Sequence, residues 1–175
     1  MSLVLDGTNG MTAPQGAVYN GIASGTAVAS TSGTSITFTN IPSWAKRITV
    51  MFNGVQTSGT SQMLIRIGSG SISTTGYNSN GVFVINAGGN VGTSSTAGII
   101  VSYGTSSSIS TGNIVLTNIS GNIWTSSGVL SWPGQNTSSF SGVSPSLSGA
   151  LDRVVITPIN GTDTFTAGSI NILYE

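Results

Sequence analysis

The chain has 175 residues, of which only 5% are charged; its formal net charge is zero and it contains neither His nor Cys. Without imidazole or thiol, most side-chain chemistry for acid–base catalysis, nucleophilic attack and metal binding is missing. The composition therefore favours a structural or binding role, and no catalytic residue, cofactor or metal is expected. Four scattered cations form no basic stripe, which argues against a nucleic-acid partner.

Hydrophobic residues make up 38% of the chain and its mean hydropathy is +0.28, so it is too apolar to be disordered and long enough for one core. No run approaches the roughly 18 apolar residues of a spanning helix, so membrane insertion is not expected. A neutral surface protects a lone protomer poorly against association. We therefore expect one domain, with an added arm, that works within a homo-oligomer.

Residues 1–30 alternate short apolar pieces with turn signals such as Asn9-Gly10 and Asn20-Gly21. No piece is long enough to pack alone, so we interpret this segment as an extended arm that attaches to neighbouring proteins; a mobile tail is the alternative. The first residues lack the basic and long apolar regions of a signal peptide. Synthesis in a cytoplasm and function as part of a virion would fit this profile.

From Ser35 onward, apolar residues recur with a period of two, which is typical of half-buried strands. The alternating apolar positions are Ile36 and Phe38, then Ile48, Val50 and Phe52, then Met63, Ile65 and Ile67, then Ile114 and Leu116. Two short runs, Val82–Ile85 and Ile99–Val101, are apolar throughout and indicate burial on both sides.

The clearest predicted pair is the last one. Residues 153–157 and 168–174 are predicted to form a hairpin around the loop Asn160-Gly161-Thr162-Asp163. Helical periodicity is absent, and the Gly, Ser and Thr content disfavours helices. Roughly eight to ten short strands predict an all-β, antiparallel β-sandwich of jelly-roll type over residues 31–175. Its Ser- and Gly-rich loops lie where binding surfaces are often built, although plain solvated connections are the simpler interpretation.

Candidate catalytic groups are few. Asp152 and Asp163 flank the predicted last hairpin and could approach each other as the two carboxylates of a glycosidase do, but both occupy ordinary positions for Asp in turns. A calcium site at Asp163 would lack the clustered acids that hard cations prefer. A Ser–Lys dyad would have to use Lys46, whose neighbour Arg47 does not favour a base role.

Aromatic residues near strand ends are better candidates for binding. Tyr77, Tyr103 and Trp124 are predicted as glycan or interface contacts, with burial in the core as the alternative. Trp44 and Trp132 lie beside a proline or a strand boundary, and we expect them to cap the core.

The block Thr39–Val55, which contains Ile41-Pro42-Ser43-Trp44, resembles a β-rich module of tailed-bacteriophage virion proteins, particularly tail fibres and other host-facing appendages. Residues 147–157 resemble the penultimate strand of that module and residues 161–175 its closing hairpin. The opening, residues 3–10, is similar to the starts of phage fibre proteins. Together these segments bracket residues 31–175.

The resemblance implies a jelly-roll fold, attachment to a virion and a homo-oligomer, often a trimer. No shaft, coiled coil or repeat precedes the module here, so its place in the particle is left open. The first hypothesis is a non-enzymatic structural subunit of a tail fibre or similar appendage. The alternatives are a capsid (head) decoration protein and an adhesin that binds host-surface carbohydrate through Tyr77, Tyr103 or Trp124; an enzyme is the least favoured.

Overall fold

The computed structural model describes residues 4–6, 10–12, 21–85, 88–102, 109–132 and 136–175, and all regular elements in these residues are β-strands. None of them forms a helix long and apolar enough to cross a bilayer. The described strands are β1 (Val4–Asp6), β2 (Gly10–Thr12), β3 (Ala23–Ser24), β4 (Val28–Ala29), β5 (Ile36–Thr39), β6 (Arg47–Thr57), β7 (Met63–Ser69), β8 (Ser71–Ile72), β9 (Asn78–Ile85), β10 (Asn90–Ser95), β11 (Ile99–Ile100), β12 (Ser110–Ser120), β13 (Ile123–Trp132), β14 (Asn136–Val143), β15 (Arg153–Pro158) and β16 (Phe165–Tyr174).

Two antiparallel sheets pack face to face around one core. The large sheet has nine strands in the order β10-β9-β14-β13-β12-β6-β16-β3, with β4 also paired to β16. The small sheet has the order β11-β7-β15-β5, with β8 paired to β7, and its β11 packs against β9 and β14 of the large sheet. The predicted all-β antiparallel sandwich is confirmed, whereas its finer jelly-roll form stays a prediction.

Side-chain alternation builds the core, as the sequence predicts. Ile48, Val50 and Phe52 of β6 are buried, while Thr49 and Met51 between them are partly exposed. The apolar run at Ile99–Val101 is fully buried, which confirms the expected two-sided burial there. This burial holds the two sheets together, because each apolar side chain removed from water contributes roughly 1.5–3 kcal/mol.

An aromatic cluster fills the core between β9, β13 and β14. The Phe83 ring stacks on Trp132 with ring centroids 5.9 Å apart and meets Phe140 edge-on at 5.5 Å. Gly81 lies opposite Phe140 in the ladder, and a Cβ at this glycine would come within 2.6 Å of the Phe140 ring. A glycine at position 81 therefore gives the ring its space. Trp132 caps the core as expected.

Two strand predictions are wrong. Val82 and Val84 are exposed while Phe83 between them is buried, so β9 alternates instead of being buried on both sides. The last two strands form no hairpin: β15 pairs with β5 and β7 in the small sheet, and β16 pairs with β6 in the large sheet. The connection after Pro158 carries the chain from one sheet to the other.

Part of the predicted arm lies along the large sheet. β3 and β4 pair with β16, and the backbone N–H of Ser30 donates to the Gly168 carbonyl at 2.9 Å. Upstream, β1 and β2 form a two-stranded ladder. Residues 1–3, 7–9 and 13–20 lie outside the described part of the chain, and attachment through residues 1–30 stays a prediction.

Candidate binding surfaces

Five of the eight charged residues lie at one end of the sandwich. Lys46 and Arg47 donate their backbone N–H groups to the Glu175 carbonyl at 2.7 and 2.9 Å, and the Ile41 N–H donates to the Asp152 carbonyl at 3.1 Å. Arg153 follows Asp152 at the start of β15. We call this region the charged end, formed by Lys46, Arg47, Asp152, Arg153 and Glu175.

The charged groups at this end are paired with one another and with the backbone. Arg153 donates from Nε to Asp152 Oδ1 at 2.7 Å and from Nη2 to Oδ2 at 3.1 Å, while the Gly70 N–H donates to the same Oδ2 at 3.0 Å. The Arg153 hydrogen bonds, aided by that of Gly70, lower the pKa of Asp152, and Asp152 in turn raises the pKa of Arg153. Arg47 Nη1 lies 3.3 Å from Glu175 Oε1.

Asp163 lies at the opposite end of β15. Its carboxylate accepts hydrogen bonds from the Ser61 N–H at 2.9 Å and the Asn160 side-chain amide at 2.8 Å. The six-residue β15 separates it from Asp152 by roughly 20 Å. This distance excludes the glycosidase-like pairing of Asp152 with Asp163. Within the described residues no group of three His, Cys, Asp or Glu could hold a metal.

Two of the three predicted aromatic contacts are buried. The Tyr77 hydroxyl accepts from the Ile67 N–H at 2.9 Å and faces the carbonyls of Ser73 at 3.0 Å and Ile67 at 3.2 Å. Burial raises the pKa of Tyr77. Trp124 is in the core, where its backbone N–H donates to Ser144 Oγ. Neither ring offers a face to a sugar, which corrects that expectation; Tyr103 lies outside the described residues.

Trp44 is the most exposed Trp in the part of the chain that the structure describes. It is 40% exposed, so the expectation that it caps the core is wrong. The Ala45 N–H donates to the Pro42 carbonyl at 3.0 Å, which closes a turn with Trp44 near its tip. The Trp44 ring rests against Tyr174, with centroids 5.8 Å apart and planes tilted by 57°. The turn signal at Pro42 could have indicated this exposure.

A recess of about 30 Å³ lies near Trp44, lined among others by Lys46, Asn118, Asn122 and Trp124. Lys46 Nζ lies 3.5 Å from Asn118 Oδ1, and the Asn118 amide donates to the carbonyls of Gly121 and Ile123. A space of this volume holds a water molecule but no sugar ring. A larger ligand at this end would have to rest on the open Trp44–Tyr174 surface.

The second candidate surface is the outward side of the large sheet, which we call the broad face. Two adjacent rows of residues cross seven strands from β10 to β16, each row in register and pointing away from the core. The rows are Gly92, Val82, Ser139, Val129, Asn113, Met51 and Asn171, and Ser94, Asn80, Ser141, Ser127, Val115, Thr49 and Leu173. Neither row contains a charged residue, and Arg47 lies one row further toward the charged end.

Apolar side chains stand out on the broad face. Val82, Val84 and Val129 are 38%, 50% and 49% exposed, and only β14 separates the two valines of β9 from Val129 on β13. Ser139 of β14 lies between Val82 and Val129, because it pairs with both in register. The result is an uncovered apolar patch within a surface of hydroxyl and amide groups.

Comparison with known proteins gives no family model, no curated protein and no solved structure that matches this chain. The resemblance to tailed-phage proteins is therefore a prediction from the sequence blocks alone.

Proposed function

We propose that the chain is a non-enzymatic structural subunit of a tailed-phage virion, built into a tail fibre or a similar host-facing appendage. The observation that carries the proposal is the pair of charge-free rows in the middle of the broad face, which cross the outward side of seven strands. Such a face can be covered by another protein without burying an unpaired ion, which costs several kcal/mol. A protein that works by being packed against neighbours gains from this arrangement.

The described charged groups support a structural rather than a catalytic role. Asp152 binds Arg153 and the Gly70 N–H, and Asp163 binds the Ser61 N–H and Asn160. Arg66 donates from Nε to the Ala97 carbonyl at 2.8 Å. General acid–base catalysis needs a group free to exchange a proton with a substrate, whereas these groups are engaged with the fold.

Antibody labelling of purified virions tests the placement. We expect antibody raised against the chain to label an appendage in electron micrographs. Label distributed over the head would contradict the appendage placement. If capsids also lose heat stability when the protein is missing, the chain is a capsid decoration protein instead. A chain absent from purified particles would overturn the virion role altogether.

A carbohydrate-binding role in host attachment is the second candidate, because exposed Trp44 and partly buried Tyr174 form an aromatic surface beside polar Lys46 and Asn118. Aromatic faces stack on sugar rings while neighbouring amides and cations bind hydroxyl groups. This proposal transfers the glycan contact from Tyr77 and Trp124, which are buried, to the charged end.

A glycan array with the intact chain tests this second candidate. Binding should be lost in Trp44→Ala, because its ring supplies the stacking surface. Ile159→Ala is the matched control, since Ile159 is 43% exposed at the other end of β15. No binding at millimolar sugar, or equal binding by both variants, would remove the adhesin candidate.

A further inference from the structure

We propose that two copies of the chain associate through their broad faces, so that the outward sides of the two large sheets pack against each other. This inference rests on the proposed role in assembly and adds the surface and the partner. The occupant of the broad face is then a second copy of this chain.

The size of the broad face fits a stable dimer. Seven strands about 4.8 Å apart, each contributing about seven residues at about 3.4 Å per residue, cover roughly 800 Å², an area that takes in the Arg47 row at its edge. A specific interface of standard size buries about 800 Å² on each partner. The face therefore supplies the required area without any contribution from the loops.

The chemistry of the face has the layout of an interface. Val129 provides an apolar group at the centre, Val82 and Val84 extend the apolar area toward β10, and serines, threonines and asparagines lie around them. The nearest ion pair, Arg47 with Glu175, lies toward the charged end, where it would stay at the rim. Apolar centres with polar rims and few charges inside are typical of protein interfaces.

A face without charge is also complementary to itself. When the same surface meets its own copy, a charged residue close to the symmetry axis confronts its own like charge, and the two central rows of this face contain none. Two twisted sheets can pack face to face with their strands about 30° apart. The contact is isologous, so it produces a twofold dimer.

The twofold axis would pass close to Val129, because β13 is the middle one of the seven strands. Trimers, which the sequence resemblance implies, need two different surfaces in each contact. Measuring the oligomeric state therefore distinguishes the broad-face dimer from a trimer built through other surfaces.

Sedimentation equilibrium of the intact chain, over a series of concentrations, is the test. The natural chain should sediment as a dimer, and Val129→Lys should raise its dissociation constant at least about 100-fold, because two lysines would meet near the axis. Thr37→Lys is the matched control: Thr37 is an exposed strand residue on the outward side of the small sheet, and this variant should dimerise normally. Circular dichroism verifies that each variant is folded.

Ser139→Lys serves as a second disruptive variant if Val129→Lys does not fold, since Ser139 lies between Val82 and Val129 and is exposed. Because the chain has no Cys, Ser127→Cys also gives a single reactive thiol on the broad face, and a short bismaleimide should link two copies through it.

A monomer, a trimer, or a dimer that survives the broad-face lysines would each overturn the inference. These results would leave the virion role standing if antibody still labels an appendage. Conversely, a broad-face dimer that is absent from virions would sustain this inference while removing the proposed function.

Discussion

The outward faces of the two sheets differ in what covers them. On the small sheet, Leu64 points away from the core by alternation, yet it and its ladder partner Ile100 are fully buried by the chain itself. The same face carries two cations, Arg66 and Arg153. On the large sheet, no charge lies in the two central rows, and Val129 is half exposed.

This difference indicates that apolar groups on the outward side of the small sheet are covered by the chain itself, whereas those of the broad face are left for a partner. Arg66 donates to the Ala97 carbonyl, and Tyr77 binds the backbone of Ile67, so the small sheet is covered around β7 by neighbouring segments of its own chain, while Thr37 of β5 stays exposed. The broad face has no such cover in the described residues. Neutral side chains on an uncovered sheet are suited to burial in an assembly.

The largest expected loss of stability comes from a substitution on the inner side of β9, and it can be compared with a substitution of the adjacent residue on the outer side. Phe83→Ala should destabilise the fold by about 3–5 kcal/mol, because Phe83 is fully buried between Trp132 and Phe140. Val82→Ala, on the broad face, should change the stability of the protomer by less than about 1 kcal/mol. Urea denaturation under dissociating conditions measures both, and similar losses would show that the broad face is part of the core.

The alternation of buried and exposed residues can be predicted from the sequence for strands that have one side exposed to solvent. The period of two at Ile48, Val50 and Phe52 predicts their burial, because successive side chains of a strand point to opposite sides. The run Val82–Ile85 led to a wrong prediction of burial on both sides, since in the sequence a valine exposed on the broad face cannot be distinguished from a valine in the core. Sequence hydrophobicity does not distinguish burial by the chain itself from exposure on an uncovered face.

Strand pairing and the candidate site were harder to predict. The turn residues at Asn160-Gly161 report correctly that the chain reverses, but they do not say which strand receives it, and β15 and β16 enter different sheets. Likewise, the sequence shows that few charges exist, whereas their concentration at the charged end depends on how β6, β15 and β16 are arranged. Such facts depend on contacts between distant segments.

The next effect tests how the small sheet is closed. Tyr77→Phe should destabilise the fold by about 1–3 kcal/mol, because it removes the acceptor of the buried Ile67 N–H and the donor to nearby carbonyls. Tyr174→Phe is the control, since that ring is only partly buried beside Trp44. Equal stabilities of the two variants in urea would contradict a structural role for the Tyr77 hydroxyl.

The pH dependence of the same variant gives a second readout. Because burial raises the pKa of Tyr77, its contribution is complete below the unfolded value of about 10 and is lost as the pH rises through the higher folded value. Tyr77→Phe should therefore lose less stability than the natural chain between about pH 9 and pH 11. A parallel decline would show that Tyr77 does not titrate in the unfolding transition.

A smaller effect separates two buried serines on the inner side of the large sheet. Ser79 Oγ accepts from the Ile100 N–H at 3.0 Å, a bond that joins the two sheets, so Ser79→Ala should cost about 1–2 kcal/mol. Ser138 Oγ is buried and has no hydrogen-bond partner among the described residues. Ser138→Ala should therefore be neutral or stabilise the fold by up to about 1 kcal/mol. Thermal melts of both variants decide, and a clear loss in Ser138→Ala would show that its hydroxyl is satisfied.

The smallest expected effect concerns the charged residues of the small sheet. Asp152→Asn should weaken the fold slightly at neutral pH, because the hydrogen bonds from Arg153 and Gly70 favour the ionised carboxylate. Because folding lowers the pKa of Asp152, the ionised carboxylate stabilises the fold at pH values above its unfolded pKa of 3.8. This stabilisation is lost as the pH falls through the lower pKa of the folded state. Melting temperatures of the natural chain and the variant should therefore converge as the pH approaches about 2. In an Arg153→Gln background, Asp152→Asn should have less effect, since the charged hydrogen bonds from Arg153, which contribute most to the lowered pKa of Asp152, are gone. A difference in melting temperature that persists unchanged at low pH would mean that Asp152 acts through its shape and neutral hydrogen bonds, and that ion pairs contribute nothing to closing the small sheet.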